Sequence, residues 1–287
     1  MADATAARRR PSFERIGRWV GGAALAASIA FIGERLWRLE WSTLQSHASW
    51  GLAGAMIGAP LLFAAADRAL ARAWTALVDP ERVHPPRDMA RIYARGVLMK
   101  YLPGSVFQYV SRQIEGAKSG IEHKLLAKSL LIEVSLHLVS SMSIAAACLL
   151  FDRQPLAALG AAGVVVAASL ATRRALLTAF AFQIVAFGAF ALAAMLIGAT
   201  VLPAGASLTH FAALFLLAWL AGFVVPVAPG GIGVREAALL ALAGPGLPAA
   251  GLMAATLALR ASSIIGDVGY GLATLKPQMR RAAPGHP

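Results

Sequence analysis

Apolar residues fall into seven stretches of membrane-spanning length, about 16–33, 50–78, 128–150, 156–172, 175–198, 208–227 and 248–275, with mostly basic segments between them. A helix rises about 1.5 Å per residue, so roughly 20 mostly apolar residues cross a hydrocarbon core ~30 Å thick. The pattern predicts an all-α fold, a polytopic membrane helix bundle with about seven or eight membrane segments that include broken or re-entrant helices. The second stretch is too long for a perpendicular crossing and carries Asp67, Arg68 and Arg72 in its later half. Its end is therefore expected to project as an amphipathic extension, with Asp67 near the headgroups. The chain divides into a basic N-terminus (1–15), one transmembrane domain (16–275) and a tail (276–287).

Two segments are neither plain spans nor plain loops. In residues 224–237, two prolines, three glycines and a charged pair directly follow the apolar run 211–225. Proline cannot continue a helix cleanly, and glycine permits backbone conformations closed to other residues. At membrane depth such a break is tolerated only where protein or a water-filled cavity satisfies the freed backbone groups. Residues 96–111 repeat the theme loosely around Pro103 and Gly104, with Arg112 just beyond. Broken segments in corresponding positions of two halves point to a transporter-like site.

Composition agrees with a membrane bundle. Of 287 residues, 58% are hydrophobic and 14% charged, against about 25% charged in soluble domains, and the mean hydropathy is +0.66. The net charge of +12 does not indicate nucleic acid, because no DNA- or RNA-binding module accompanies it. Instead it is distributed by the positive-inside pattern. One set of segments holds the N-terminal arginines, Arg82, Arg87, Arg91, Arg95, Lys118, Lys124, Lys128, Arg173, Arg174, Lys276, Arg280 and Arg281. The opposite set has only Arg35, Arg38 and Arg153. Both termini are thus expected in the cytoplasm, which requires an even number of crossings. Seven full spans break that parity unless 229–246 crosses once more or forms a hairpin with the sixth span. The arginine-rich start followed by 19–32 also admits a signal-peptide reading, with 26–28 as the cleavage region; a retained first helix suffices.

The chemistry-bearing residues cluster at these breaks and inside the spans. If a helix restarts after Pro229, Gly230, Gly231 and Gly233, its free N–H groups and positive dipole end, with Arg235 beside them, form a corner suited to phosphate or carboxylate. Glu236 could cap that start or pair with another arginine. The plain alternative is a turn with a structural ion pair. Lys100 and Tyr101 beside Pro103 and Gly104 suit a lipid headgroup at the interface, or an ordinary interfacial helix. Glu133 and His137 share one helix face, as do Arg260 and Asp267. Ionisable groups inside a membrane are costly and usually line a pathway or pair with one another. These read as a polar track, a proton relay or a structural network, with Glu133 a natural partner for Arg235 or Arg260. Cys148 lies in an apolar run, and no metal-ligand spacing, nucleophile elbow or nucleotide loop is found.

At Lys100-Tyr101-Leu102-Pro103-Gly104 through Arg112, and at Pro229-Gly230-Gly231-Ile232-Gly233-Val234-Arg235-Glu236 with Arg260 and Asp267 downstream, the chain resembles the lysylphosphatidylglycerol synthase transmembrane-region family. The resemblance covers about residues 15–275. It implies a bacterial inner-membrane protein, multi-pass, that translocates or presents an anionic membrane lipid or polyprenyl-linked sugar, as a flippase-domain-like member without the synthase domain. Aminoacylation of phosphatidylglycerol is then not expected, nor is a cofactor or metal. Arg112, Pro229, Gly230, Gly231, Gly233, Arg235 and Arg260 would hold the headgroup, and Glu133, His137, Glu236 and Asp267 would support them. The alternatives are a non-transporting partner of a glycosyltransferase and, more remotely, an intramembrane transferase using Glu133, His137 or Asp267.

Overall fold

The computed structural model describes residues 47–102, 106–151, 174–224 and 233–276, with isolated positions 30, 34, 37, 45, 154, 163 and 167. The expected spans 16–33 and 156–172 lie, apart from those positions, outside the described residues. So do Pro103, Gly104, Pro229, Gly230 and Gly231. The described residues fold as an all-α bundle without a strand. In chain order the helices are α1 (Trp50–Val78), α2 (Pro86–Met99), α3 (Phe107–Lys118), α4 (His123–Phe151), α5 (Ala175–Val201), α6 (Leu208–Val224), α7 (Val234–Ala243) and α8 (Ala249–Leu275). A single 3-10 turn, Gly244–Gly246, separates the last two. Four of them, α1, α4, α5 and α8, are long and apolar enough to cross a membrane, while α6 is apolar but shorter.

Helix starts and stops follow local chemistry. Ser49 caps α1 by accepting the Leu52 N–H at 3.0 Å, which satisfies one of the orphan donors of the first turn. At the other end Asp79 accepts the backbone N–H groups of Val83 and His84 at 2.8 and 3.0 Å. Burial would raise the Asp79 carboxyl, but these two donors and the His84 side chain hold it below its ordinary value. α2 opens on Pro86, whose missing N–H costs nothing in a first turn, with Asp88 near the positive dipole end.

Close contacts fix the helix directions. α1 and α8 run parallel: Gly266 lies against Pro60, Phe63 and Ala64, one turn before Asp67, and Ser262 reaches Met56. α5 is antiparallel to α1, with Gly58 against Leu196 and Arg72 over the Phe182 ring. α4 runs alongside α5 in the same direction, pairing the level of Glu133 with Gln183 and that of His137 with Phe187. Thus the ends of α1 and α8 and the starts of α4 and α5 share one end of the bundle. That is the end at which the sequence gathers Arg82, Arg87, Arg91, Lys118, Lys124, Arg174 and Lys276.

The short helices form two hairpins that enter from opposite ends. α2 re-enters from the basic end, with Tyr93 beside Trp74 and Leu98 against Gly271. α3 then returns, because the Ser119 carbonyl at its exit lies 3.1 Å from His84 at the entrance of α2. α6 begins at the other end, where Gly198 of α5 meets Phe211. α7 packs back along α6 and delivers the chain to α8, whose Gly251 abuts the Val201 carbonyl. The expected extension of α1 beyond the bundle is not what forms: Asp67 is only 3% exposed, and Leu70, Ala73, Trp74 and Leu77 are buried around it. The re-entrant α2 covers this part of α1, a long-range contact with no local signature.

The α1–α8 crossing tolerates no side chain at Gly266, where a Cβ would stand 2.6 Å from the Pro60 carbonyl oxygen. Gly266→Ala should therefore destabilise by ~1–3 kcal/mol, the usual cost of overpacking. Thermal denaturation in detergent should show a lowered midpoint; an unchanged one would contradict this crossing.

Candidate functional site

The two hairpin tips bring ionisable groups to one level inside the bundle. Asp67, Glu133 and Asp267 lie some 8–11 residues from the basic ends of their helices, hence ~12–16 Å deep. Three clusters form there and just beyond, the third reaching Arg260, 15 residues or ~22 Å from the basic end of α8.

The first is Arg112 with Glu133. Arg112, on the returning arm of the first hairpin, is 5% exposed and Glu133 is 3% exposed. The guanidinium Nη1 lies 2.9 Å from both carboxylate oxygens. Its Cζ also faces the rings of Tyr93, Tyr109 and Trp74 at 4.8, 5.2 and 5.7 Å. A guanidinium suits this cage, being planar, weakly hydrated and attracted to ring faces. On the same face of α4, His137 places Nδ1 2.8 Å from the Glu133 carbonyl oxygen. Its ring stacks on Phe223 at 5.4 Å and on Trp219 at 6.3 Å. Gln183, fully buried, donates to the same carbonyl at 3.4 Å.

The second cluster centres on Asp267. Lys100 Nζ lies 2.6 Å from its carboxylate, and the Tyr101 hydroxyl donates to it. Asp67 of α1 is the neighbouring carboxylate, and its Oδ2 has no hydrogen-bond partner. At the mouth of the first hairpin, outside this layer, burial would raise the Glu115 carboxyl, yet Lys118 and Arg95 beside it hold it below its ordinary value.

The third cluster belongs to the second hairpin. Gly233 has φ +80°, a left-handed conformation that glycine adopts freely. Its N–H donates to Glu236 Oε2 at 2.7 Å, so Glu236 caps the start of α7. Glu236 also pairs with Arg260. Arg235 is packed differently. Its Cζ lies 5.5 Å over the Trp219 ring, and its side chain crosses Gly222 so closely that a Cβ there would sit 2.8 Å from Nε. It is half-buried, its Nε has no hydrogen-bond partner, and no carboxylate among the described residues forms an ion pair with it.

Comparison of the chain with family models, curated protein sequences and solved structures finds no match. The site must therefore be read from its own geometry. Of the residues singled out in the sequence, Arg112, Glu133 and His137 form one unit, Gly233, Arg235, Glu236 and Arg260 a second, and Lys100, Tyr101 and Asp267 a third. Glu133 meets Arg112 rather than Arg235 or Arg260, because the hairpin carries Arg112 inward. Lys100 and Tyr101 reach Asp267, a partner that sequence spacing does not indicate. Asp67, Gln183, Trp74, Tyr93 and Trp219 also join the layer. A glutamine and a tryptophan within apolar runs are visible signals for Gln183 and Trp219, whereas Asp67 beside Arg68 has the local pattern of a span end. Among the described residues no cluster of three or more His, Cys, Asp or Glu could hold a metal ion.

Removing one member of a buried pair strands the other, at a cost of ~3–5 kcal/mol. Arg112→Met should show that loss as a lower denaturation midpoint. The double variant Arg112→Met with Glu133→Leu should recover most of it. A double variant at least as unstable as the sum of the singles would show that the pair is not the unit described.

Proposed function

We propose that this protein is a multi-pass bacterial inner-membrane protein that binds the anionic headgroup of a lipid or lipid-linked sugar at Arg235 and carries it between leaflets. The observation that supports this reading best is Arg235 itself. Arg112 and Arg260 are satisfied by Glu133 and Glu236, whereas Arg235 has only a ring face among the described residues. It stands at the start of α7, where helix N–H groups add positive potential. A cation held in a bundle interior without a carboxylate is compensated when an anion arrives. The Pro-Gly sequences that follow α2 and precede α7 in the chain support the same reading, as does the resemblance of these motifs to the lysylphosphatidylglycerol synthase transmembrane-region family.

The basic end of the bundle would face the cytoplasm. Two hairpins entering from opposite ends add no crossings, so the six remaining apolar segments of the sequence would give the even count that cytoplasmic termini require. Both hairpin mouths would then lead from opposite leaflets toward one polar layer, an arrangement suited to alternating access.

The test uses proteoliposomes containing a fluorophore-labelled anionic phospholipid whose outer-leaflet copies are bleached by an impermeant reductant. The wild-type protein should expose the inner-leaflet pool. Arg235→Ala should slow exposure ~10–100-fold, the loss of one or two charge-assisted contacts; Arg68→Ala, at an exposed position, should not. An unchanged rate in Arg235→Ala would remove this residue from the function. Retained lipid binding without any exposure by the wild type would instead favour presentation of the lipid to a partner enzyme such as a glycosyltransferase.

A further inference from the structure

Two cations on different hairpins approach one another inside the bundle. Lys100 stands at the inner end of α2, where its backbone N–H closes on the Gly96 carbonyl. Arg235 lies in the first turn of α7. Each is within electrostatic reach of the other, and Arg235 is also within reach of Tyr101 and Asp267. α8 accounts for this meeting. Its Asp267 receives Lys100 and Tyr101, and its Arg260 pairs with Glu236, the neighbour of Arg235. These two anchor points are seven residues apart, hence on one face of α8 and about 10 Å apart along its axis. Both hairpins are thus moored to the same helix face, which brings Lys100 and Arg235 toward each other.

Neither cation has used all its donors. Lys100 carries three ammonium N–H groups. Its Nζ lies 2.6 Å from Asp267, and no other acceptor among the described residues bonds to it. The side chain is 32% exposed, against 6% for the enclosed Arg112. Arg235 has an unpartnered Nε. Their neighbours are already committed. Arg260 is held by Glu236. His137 stacks on the Trp219 ring that Arg235 also covers, but its Nδ1 is taken by the Glu133 carbonyl.

We propose that Lys100 is the second contact for the anion at Arg235, so that one phosphoryl group is held between the two hairpins with one unesterified oxygen to each cation. Lys100 keeps Asp267 meanwhile, because its spare N–H groups make the new contact, and no buried carboxylate is stranded. Two like charges that otherwise repel become, with the anion between them, a bridge from one hairpin to the other. The inference rests on the reading of Arg235 as the anion site and adds to it a second binding residue and a phosphoryl ligand. It also suits alternating access: movement of either hairpin breaks one contact and leaves the other in place.

Titration calorimetry of the purified full-length protein, with dihexanoyl phosphatidylglycerol as probe, tests the two cations separately. The wild type should bind saturably, and Arg235→Ala should weaken binding ~10–100-fold, the loss of a charge-assisted contact. No saturable binding, or binding indifferent to Arg235→Ala, removes the anion site and the Lys100 contact together. Lys100→Met combined with Asp267→Asn removes one charge of each sign, so the net charge near Arg235 is unchanged. This double variant should bind the probe ~10–100-fold more weakly than the wild type. An unchanged Kd in the double variant would mean that Lys100 only neutralises Asp267; that result overturns the proposal and leaves Arg235 standing. Should the double variant not fold, acetylation of Lys100 in the wild type, followed by mass spectrometry, reads the same contact. Probe at about ten times its Kd should slow that acetylation roughly tenfold, and an unchanged rate overturns the proposal.

Discussion

A charge placed among apolar helices must be compensated, because the cost of leaving it bare in a low-dielectric interior exceeds most other terms in the fold. That constraint organises this bundle. Arg112 is carried into the interior only because Glu133 meets it and three aromatic rings line its remaining faces. Lys100 and Tyr101 enter on the tip of the first hairpin because Asp267 receives both. Arg260, in the middle of α8, is matched by Glu236, which at the same time caps α7. Each pairing joins elements distant in sequence, so the same contacts that neutralise charge also hold the hairpins against the long helices.

The hairpins in turn depend on small residues. Gly96 admits the Arg112 side chain and the Gln108 carbonyl between α2 and α3. Gly222 lets Arg235 lie across α6, and Gly266 brings α1 and α8 close beside Asp67 and Asp267. With little hydrophobic drive between helices in lipid, such close approach is a principal source of packing energy. Packing and electrostatics thus converge on one layer. Within it Lys100 holds Asp267, whereas Arg235 has no ion-paired carboxylate among the described residues. The proposed anion site rests on that difference.

Much of this was legible in the sequence. The starts of α1, α5 and α8 were apparent from hydropathy to within a residue or two, because apolar length is a local property. α4 begins earlier than its apolar run, since His123 and Lys124 extend the helix beyond it. The parity of crossings left 229–246 either to cross once more or to form a hairpin with the sixth span, and α6 packs with α7 as a hairpin. Glu133 and His137 were placed on one face by their spacing. Partner choice was not legible. That Arg112 meets Glu133, and that Asp67 lies inside the bundle rather than at a span end, depend on how far the first hairpin folds inward. Its mostly polar arms, read alone, suit an interfacial helix equally well.

The entry of the two hairpins from opposite sides underlies every functional claim made for the layer, and it is directly measurable. Cys148 is the only cysteine in the chain, so a Cys148→Ser background allows single cysteines at Glu122, beyond the exit of the first hairpin, and at Gly246, beyond the second. In sealed, oriented vesicles, an impermeant maleimide should label Glu122→Cys from one side only and Gly246→Cys from the other side only. Labelling of both positions from the same side would contradict the opposed hairpins and, with them, the shared polar layer as a meeting point between the two leaflets.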